Sequence, residues 1–188
     1  MAKLIYVTNV SVDGYIEDER GRFDWTEPDE EYFTFVTDLV RPIGTNLYGR
    51  RIYETMAVWE TDPALAAGSA HEADFASVWQ AADKVVYSTT LDAVWTARTQ
   101  LERRFDPAVV RDMKASATSD LAVSGAELAA HAFRAGLVDE CHLLIHPVAV
   151  GGGKPGLPTD VRLDLELLET RAVSGGVAYV RYAVDSAR

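Results

Sequence analysis

The sequence predicts an α/β fold: a mixed, mostly parallel sheet with helices on both faces and an antiparallel edge toward the C-terminus. Three observations carry the prediction. Apolar β-branched runs alternate with helical patterns through the first two thirds of the chain. The last third holds three consecutive strand candidates with no helix between them. No repeat, low-complexity tract or long Pro/Gly/Ser linker divides the 188 residues, so one domain over 1–188 is expected.

Each element has a local reason. KLIYVTNVSV (3–12) is an apolar strand closed by the turn pair Asp13-Gly14. DEEYFTFVTDLV (29–40) places Tyr32, Phe33, Phe35, Val36, Leu39 and Val40 on one helical stripe behind an acidic first turn, with Pro28 suited to the first helical position. TNLYG (45–49) is a short strand and RRIYETMA (50–57) a short helix behind it. SAHEADFASVWQAA (69–82) carries the Ser69-to-Glu72 spacing of a capping box and reads as a helix. KVVYST (84–89) is a strand, DPAVVRDMKAS (106–116) a helix, DLAVS (120–124) a strand, and AELAAHAFRAG (126–136) a helix ended by Gly136. VDECHLLIHPVAV (138–150), RLDLELLETRAV (162–173) and GVAYVRYAV (176–184) are the closing strands.

Charge and cysteine usage remove whole classes of function. With 18 basic against 29 acidic residues, the net charge of −11 argues against DNA, RNA or an anionic membrane as partner. The single Cys141 rules out an internal disulfide and a multi-cysteine zinc site, and it reads as a small buried residue. His71 and His131 fall in helices, His142 and His146 in a strand, and no metal spacing is complete, so no metal is assigned. The N-terminal MAKLIYVTNVSVDGYI has one Lys and is interrupted by Thr, Asn and Ser; it resembles neither a signal peptide nor a membrane span, and a cytoplasmic location is expected.

Three strand ends carry the chemistry. Ligands of open α/β sheets collect beyond the carboxyl ends of strands, where helix N-termini point. Gly49-Arg50-Arg51 follows one strand, Ser88-Thr89-Thr90 a second and Ser124-Gly125-Ala126 a third. The two glycines let a phosphate approach the backbone, the arginines neutralise phosphate oxygens, and the hydroxyls add donors. Each piece also reads as an ordinary turn, surface pair or cap. Neither G-x-G-x-x-G nor G-x-x-x-x-G-K-[ST] is present, so spacing alone leaves the nucleotide question open.

Taken in order, VTNVSVDGYI, LYGRRIYETM, KVVYSTTL and LAVSGAELAAHAFRAGLVDECHLLIHPVAVGGGKP, with a closing pair of strands, resemble the dihydrofolate reductase-like superfamily. More closely, the chain resembles the branch that includes the reductase domain of the riboflavin-biosynthesis protein RibD. The resemblance runs over nearly the whole chain and is most specific from Val123 to Pro155. It implies an eight-stranded, mostly parallel sheet, an NADPH site and a homodimer. It also implies that Ser124, Gly125, Ala126, Glu127 and Leu128 hold the cofactor's pyrophosphate, that Gly49, Arg50, Arg51, Ser88 and Thr89 face its adenosine end, and that Val7 and Thr8 lie beside the nicotinamide. The segment from Pro147 to Gly153, with Gly151 and Gly152, would close the other wall; a plain flexible turn is the alternative for these glycines. Ile52 departs from the family pattern, which has Thr there, and Tyr15 departs from the Lys or Arg of the riboflavin enzymes.

Hydride transfer requires alignment, exclusion of water and a proton source. The helix carboxylate of authentic dihydrofolate reductases falls, by ungapped count from Gly49, on Phe33. Glu31 lies roughly 200° around the helix from that position, and Asp13 sits in the turn beyond the first strand; these two are the candidate catalytic residues, with an acidic first turn and turn chemistry as their alternatives. Trp25, in GRFDW (21–25), either stacks on a planar ring or closes the core. One cysteine cannot furnish the zinc set of a nucleobase deaminase. The expected activity is NADPH-dependent reduction of a small planar pterin- or pyrimidine-like heterocycle or a related small molecule. A ligand-binding protein without turnover and a purely structural domain are the alternatives.

Overall fold

The computed structural model describes residues 1–26 and 29–185, so Pro28, expected at the start of the first helix, lies outside the described residues. The strands are β1 (Leu4–Ser11), β2 (Tyr15–Glu17), β3 (Ile43–Gly49), β4 (Asp83–Tyr87), β5 (Thr99–Glu102), β6 (Asp120–Ser124), β7 (Glu140–His146), β8 (Lys154–Pro155), β9 (Asp164–Val173) and β10 (Val177–Asp185). The helices are α1 (Glu30–Val40), α2 (Arg50–Met56), α3 (Val58–Thr61), α4 (Pro63–Ala66), α5 (Ala70–Ala81), α6 (Pro107–Ser116) and α7 (Ala126–Arg134).

Eight strands form one sheet in the order β5-β4-β3-β6-β1-β7-β10-β9, and β2 pairs with β8 in a separate ribbon. The pairings from β5 through β7 are parallel, and β10 runs antiparallel to both β7 and β9. This is the mixed, mostly parallel eight-stranded sheet with an antiparallel edge that the sequence predicts. β5 is the strand that sequence reading passes over: its four residues alternate between half-buried and exposed, too short and too mixed to stand out.

Alternation along the strands sends side chains to two covered faces. Leu4, Tyr6, Leu47, Val85, Leu121, Val123 and Cys141 pack under α6 and α7, with Val110, Leu128, Ala132 and Phe133 from those helices. Tyr48 and Val86 face the other way, onto Tyr53 of α2 and Phe75 and Trp79 of α5. On the same side, Tyr32, Phe35, Val36 and Leu39 of α1 cover Leu144, Val173, Val177 and Tyr179.

Local signals set the helix ends. Asp29 accepts from the Tyr32 backbone N–H at 2.8 Å and Ser69 Oγ from that of Glu72 at 3.2 Å, satisfying donors the first turn leaves unpaired. After α7, Gly136 at φ +62° donates to the Phe133 carbonyl and Leu137 to that of Ala132, a paired closure that the missing β-carbon permits. Lys84, nearly fully buried, donates to the Trp79 and Ala82 carbonyls at the end of α5 and lies 4.2 Å from the Trp79 ring centre.

An ionic cluster around buried Glu140 joins Lys3, just before β1, to β7 and β10. Glu140 accepts from Lys3 Nζ at 2.5 Å and Arg181 Nε at 2.9 Å, and its Oε2 lies 3.0 Å from His142 Nε2. Burial alone would raise its pKa, but the hydrogen bonds from Lys3, His142 and Arg181 outweigh that and bring it down to about 2.

Candidate active site

Because six neighbouring strands run parallel, their carboxyl ends share one rim. At its centre β3 passes through Gly49 directly into α2, and the adjacent β6 passes through Gly125 into α7. Among the described residues, neither helix has a side-chain cap at its N-terminus, the cap residues being glycines. Gly125 stands at φ +97°, where L side chains are strained, and a β-carbon there would lie 3.5 Å from Ile52 Cγ2 and 3.8 Å from the Gly49 nitrogen. Two helix N-termini thus open side by side, a concentration of backbone donors and positive dipole suited to an anion. Ile52 presents a methyl group at this junction.

The charges around the junction are partly committed. Arg50 Nε pairs with Glu54 at 2.8 Å, and its Nη1 donates to Thr90 Oγ1 at 3.0 Å. Arg51 is exposed, 3.6 Å from Glu17. Ser88 Oγ accepts from the N–H groups of Thr90 and Leu91, which shapes the turn after β4, and Thr89 is exposed. Glu127, in the first turn of α7, pairs with Lys154 of β8 at 2.7 Å, and Lys154 also lies 3.9 Å from Glu17. The hydrogen bond from Lys154 holds the Glu127 carboxyl below its ordinary pKa. Lys154 escapes sequence reading because nothing local shows a lysine beyond Gly153 reaching the start of α7.

The loop after β7 is fixed to the turn after β1. Asp13 accepts from the N–H of Gly151 at 2.8 Å and of Val150 at 3.2 Å. Hydrogen bonds from Ser11 and from Gly151 and Val150 hold this exposed carboxylate below its usual range. Gly153 is at φ +140°, and a β-carbon on it would stand 2.0 Å from the Glu17 carbonyl oxygen, so only glycine lets the two loops meet. Gly152 lies against the Glu19 side chain, and Gly151 is open.

β1 runs through the middle of the sheet between β6 and β7, yet Asn9 in its middle is exposed and Val7 and Thr8 are half-buried. The strand is therefore accessible at Val7 to Asn9, while Val10 and Ser11 at its carboxyl end are buried. Asn9 Oδ1 there accepts a hydrogen bond from the Tyr32 hydroxyl and lies 3.1 Å from His146 Nε2. His146 is buried, and burial lowers its pKa, so the ring is neutral at neutral pH. Tyr32 and His146 line a cavity of about 280 Å³ with Trp25, Asp29, Pro147, Val148, Ser174, Gly175 and Val177. Among the described residues no acceptor meets the buried Trp25 Nε1, and Asp29 receives the Ser174 hydroxyl at 2.6 Å.

The two catalytic candidates do not converge. Asp13 ties two loops together, whereas exposed Glu31 lines a different cleft, between α1 and the β9–β10 edge, with Phe35, Glu169 and Arg181. Phe33 packs edge-on against Trp59 and Phe75. The only local sign of the Asn9 cluster was a polar residue inside an apolar strand. Among the described residues no group of acidic, His and Cys side chains is arranged to hold a metal, and no helix is long and apolar enough to cross a membrane.

Comparison with known proteins matches residues 2–179 to the family model of the RibD C-terminal domain. The uncharacterised protein YyaP of Bacillus subtilis is 31% identical over 193 residues, covering 96% of this chain and 94% of its own. Among solved structures, a protein assigned to riboflavin biosynthesis in Shewanella sp. PV-4 superposes with a TM-score of 0.75 at 21% identity, over 98% of this chain and 99% of that one. The RibD protein of Acinetobacter baumannii gives 0.71 at 13% identity, over 98% of this chain and 58% of its own. The Thermotoga maritima diaminohydroxyphosphoribosylaminopyrimidine deaminase/5-amino-6-(5-phosphoribosylamino)uracil reductase gives 0.63 at 14% identity, over 97% and 56%. At these identities the structural likenesses speak to the fold.

Proposed function

We propose that this chain, which belongs to the RibD C-terminal domain family, is an NADPH-dependent reductase of a small planar heterocyclic compound. The observation that carries the reading is the pair of helix N-termini at Gly49 and Gly125, whose cap residues carry no side chain, opening on the rim near the accessible Val7–Asn9 stretch of β1. The residues fit a dinucleotide: the N–H groups of Ala126, Glu127 and Leu128 suit a pyrophosphate, and Gly125 keeps the approach clear. Arg51, with Arg50 and the hydroxyls of Ser88 and Thr89 nearby, suits the 2′-phosphate that separates NADPH from NADH. Val7 and Thr8, with Gly151 and Gly152 across the loop, would flank the nicotinamide. When bound, the cofactor supplies the hydride.

The chain's own residues do the rest. Asp13 and Gly153 hold the loop after β7 against the β1–β2 turn, limiting access of water. The aromatic walls of Trp25, Tyr32 and His146 orient a planar acceptor. A second copy of the chain is the partner we propose, because β9 is a ten-residue edge strand with Leu167 and Leu168 exposed.

A second reading, a dinucleotide-binding protein without turnover, is supported by the Ile52 methyl at the anion junction and by Phe33 in place of a helix carboxylate. Titration with NADPH and with NADH, followed by quenching of tryptophan fluorescence, tests cofactor use. Micromolar binding that prefers NADPH is expected; binding of neither removes the reductase reading. Turnover of an added heterocycle then separates reductase from binder.

A further inference from the structure

The cavity at the carboxyl end of β7 is more selective than the fold alone requires. The Asn9 side-chain oxygen accepts the hydrogen bond of the Tyr32 hydroxyl and, as an acceptor only, also accepts from the His146 Nε2 beside it, which therefore carries the ring proton. A neutral imidazole carries one ring proton, and with that proton on Nε2 the other nitrogen, Nδ1, is a bare acceptor. No described residue donates to it.

Asp29 carries the formal charge among the described residues that line the cavity. Asp29 contributes a carboxylate already engaged by the Ser174 hydroxyl and the Tyr32 N–H, and these bonds keep it ionised. No Lys or Arg is among the described residues that line it. A phosphate placed here would meet the exposed Asp29 carboxylate, with no lysine or arginine among the described lining residues to attract it. The volume, about 280 Å³, lies just below the range of ligand clefts, roughly 300–1,000 Å³. Trp25 adds a flat wall whose buried N–H meets no acceptor among the described residues.

We propose that this cavity binds the substrate as an uncharged, phosphate-free planar ring bearing a lactam-type edge, its N–H donated to His146 Nδ1 and its carbonyl directed to the Trp25 side. The inference rests on the reductase reading and narrows it: His146 is a specificity-determining residue held in one tautomer by Asn9 and Tyr32. A ring bearing a ribosyl phosphate is expected to bind more weakly.

Calorimetric titration of the intact protein with 7,8-dihydropterin and with 5-amino-6-(5-phosphoribosylamino)uracil, each with and without NADP⁺, tests this separately from cofactor use. Dihydropterin is expected to bind at least tenfold more tightly than the phosphorylated compound. The variant His146→Gln keeps an N–H donor toward Asn9 but has no nitrogen at the δ position; it should weaken dihydropterin at least tenfold and leave NADPH affinity unchanged. His146→Asn, which restores an acceptor near Nδ1, should recover part of the loss. Equal affinity for the two compounds, no dihydropterin binding, or unaltered dihydropterin affinity in His146→Gln would overturn the proposal while leaving the NADPH titration to decide the reductase reading.

Discussion

Lys154 of β8 and Glu127 in the first turn of α7 form an ion pair at 2.7 Å across the mouth of the crevice. The pair joins the loop after β7 to the helix end best placed to bind a pyrophosphate. Both side chains are reachable by solvent, that of Glu127 at 82% exposure, so an entering anion can take over the lysine. Lys154→Ala is therefore expected to weaken NADPH binding roughly tenfold. Glu127→Gln, which removes a competing negative charge, should strengthen it by about two- to fivefold. Dissociation constants from fluorescence titration check both, and opposite signs for the two variants are the diagnostic result.

Gly125 and Ile52 meet at the anion junction, and they make opposite predictions. Gly125→Val forces a β-branched residue into φ +97°, at a cost of about 1–3 kcal/mol, and it places methyl groups in the approach path. Loss of NADPH binding with a folded circular dichroism spectrum is expected. Ile52→Thr exchanges a methyl group for a hydroxyl donor beside the same junction and should tighten NADPH severalfold. Unchanged affinity in both variants would move the pyrophosphate elsewhere.

Asp13 is held ionised by Ser11 and by the Gly151 and Val150 N–H groups. A carboxylate kept below its usual range has no proton to give at neutral pH. Asp13→Asn is thus expected to lower kcat/KM through a loosened loop while leaving the shape of the pH–rate profile intact. Disappearance of an ionisation from that profile would instead identify Asp13 as an acid or base in the reaction.

Acid should weaken the fold through Glu140. Its carboxyl has a pKa of about 2 when folded against an ordinary 4.5, so the unfolded chain binds more protons in that window. The stabilisation it provides is complete above about pH 4.5 and is lost as pH falls toward 2. With Lys3 half exposed and the interaction partly screened, about 1–2 kcal/mol is expected. Urea unfolding at pH 6 and pH 3 measures it, and Glu140→Gln should flatten this part of the pH dependence while lowering stability at pH 6, because Arg181 and Lys3 lose their counter-charge.

The sequence by itself determined the sheet and its rim. Apolar runs at strand spacing, acidic and hydroxyl caps such as Asp29 and Ser69, and Gly136 closing α7 are local signals, and local physics is sufficient to place β1, β3, β4, β6 and β7 with their helices. The parallel order then brings Gly49, Ser88 and Gly125 to one edge whatever the details of packing. Tertiary structure alone decided the chemistry at that edge. Asn9, Tyr32 and His146 come from three elements, His146 lying 137 residues beyond Asn9, and they meet only because β1 and β7 pair in the register that sets Ser11 beside His146. Lys154 reaches Glu127 only because Gly153 lets two loops touch. Which lone pair is free, which carboxylate stays ionised and which lysine faces an anion depend on distances between segments remote in the chain, and hydrophobic periodicity carries no record of those distances.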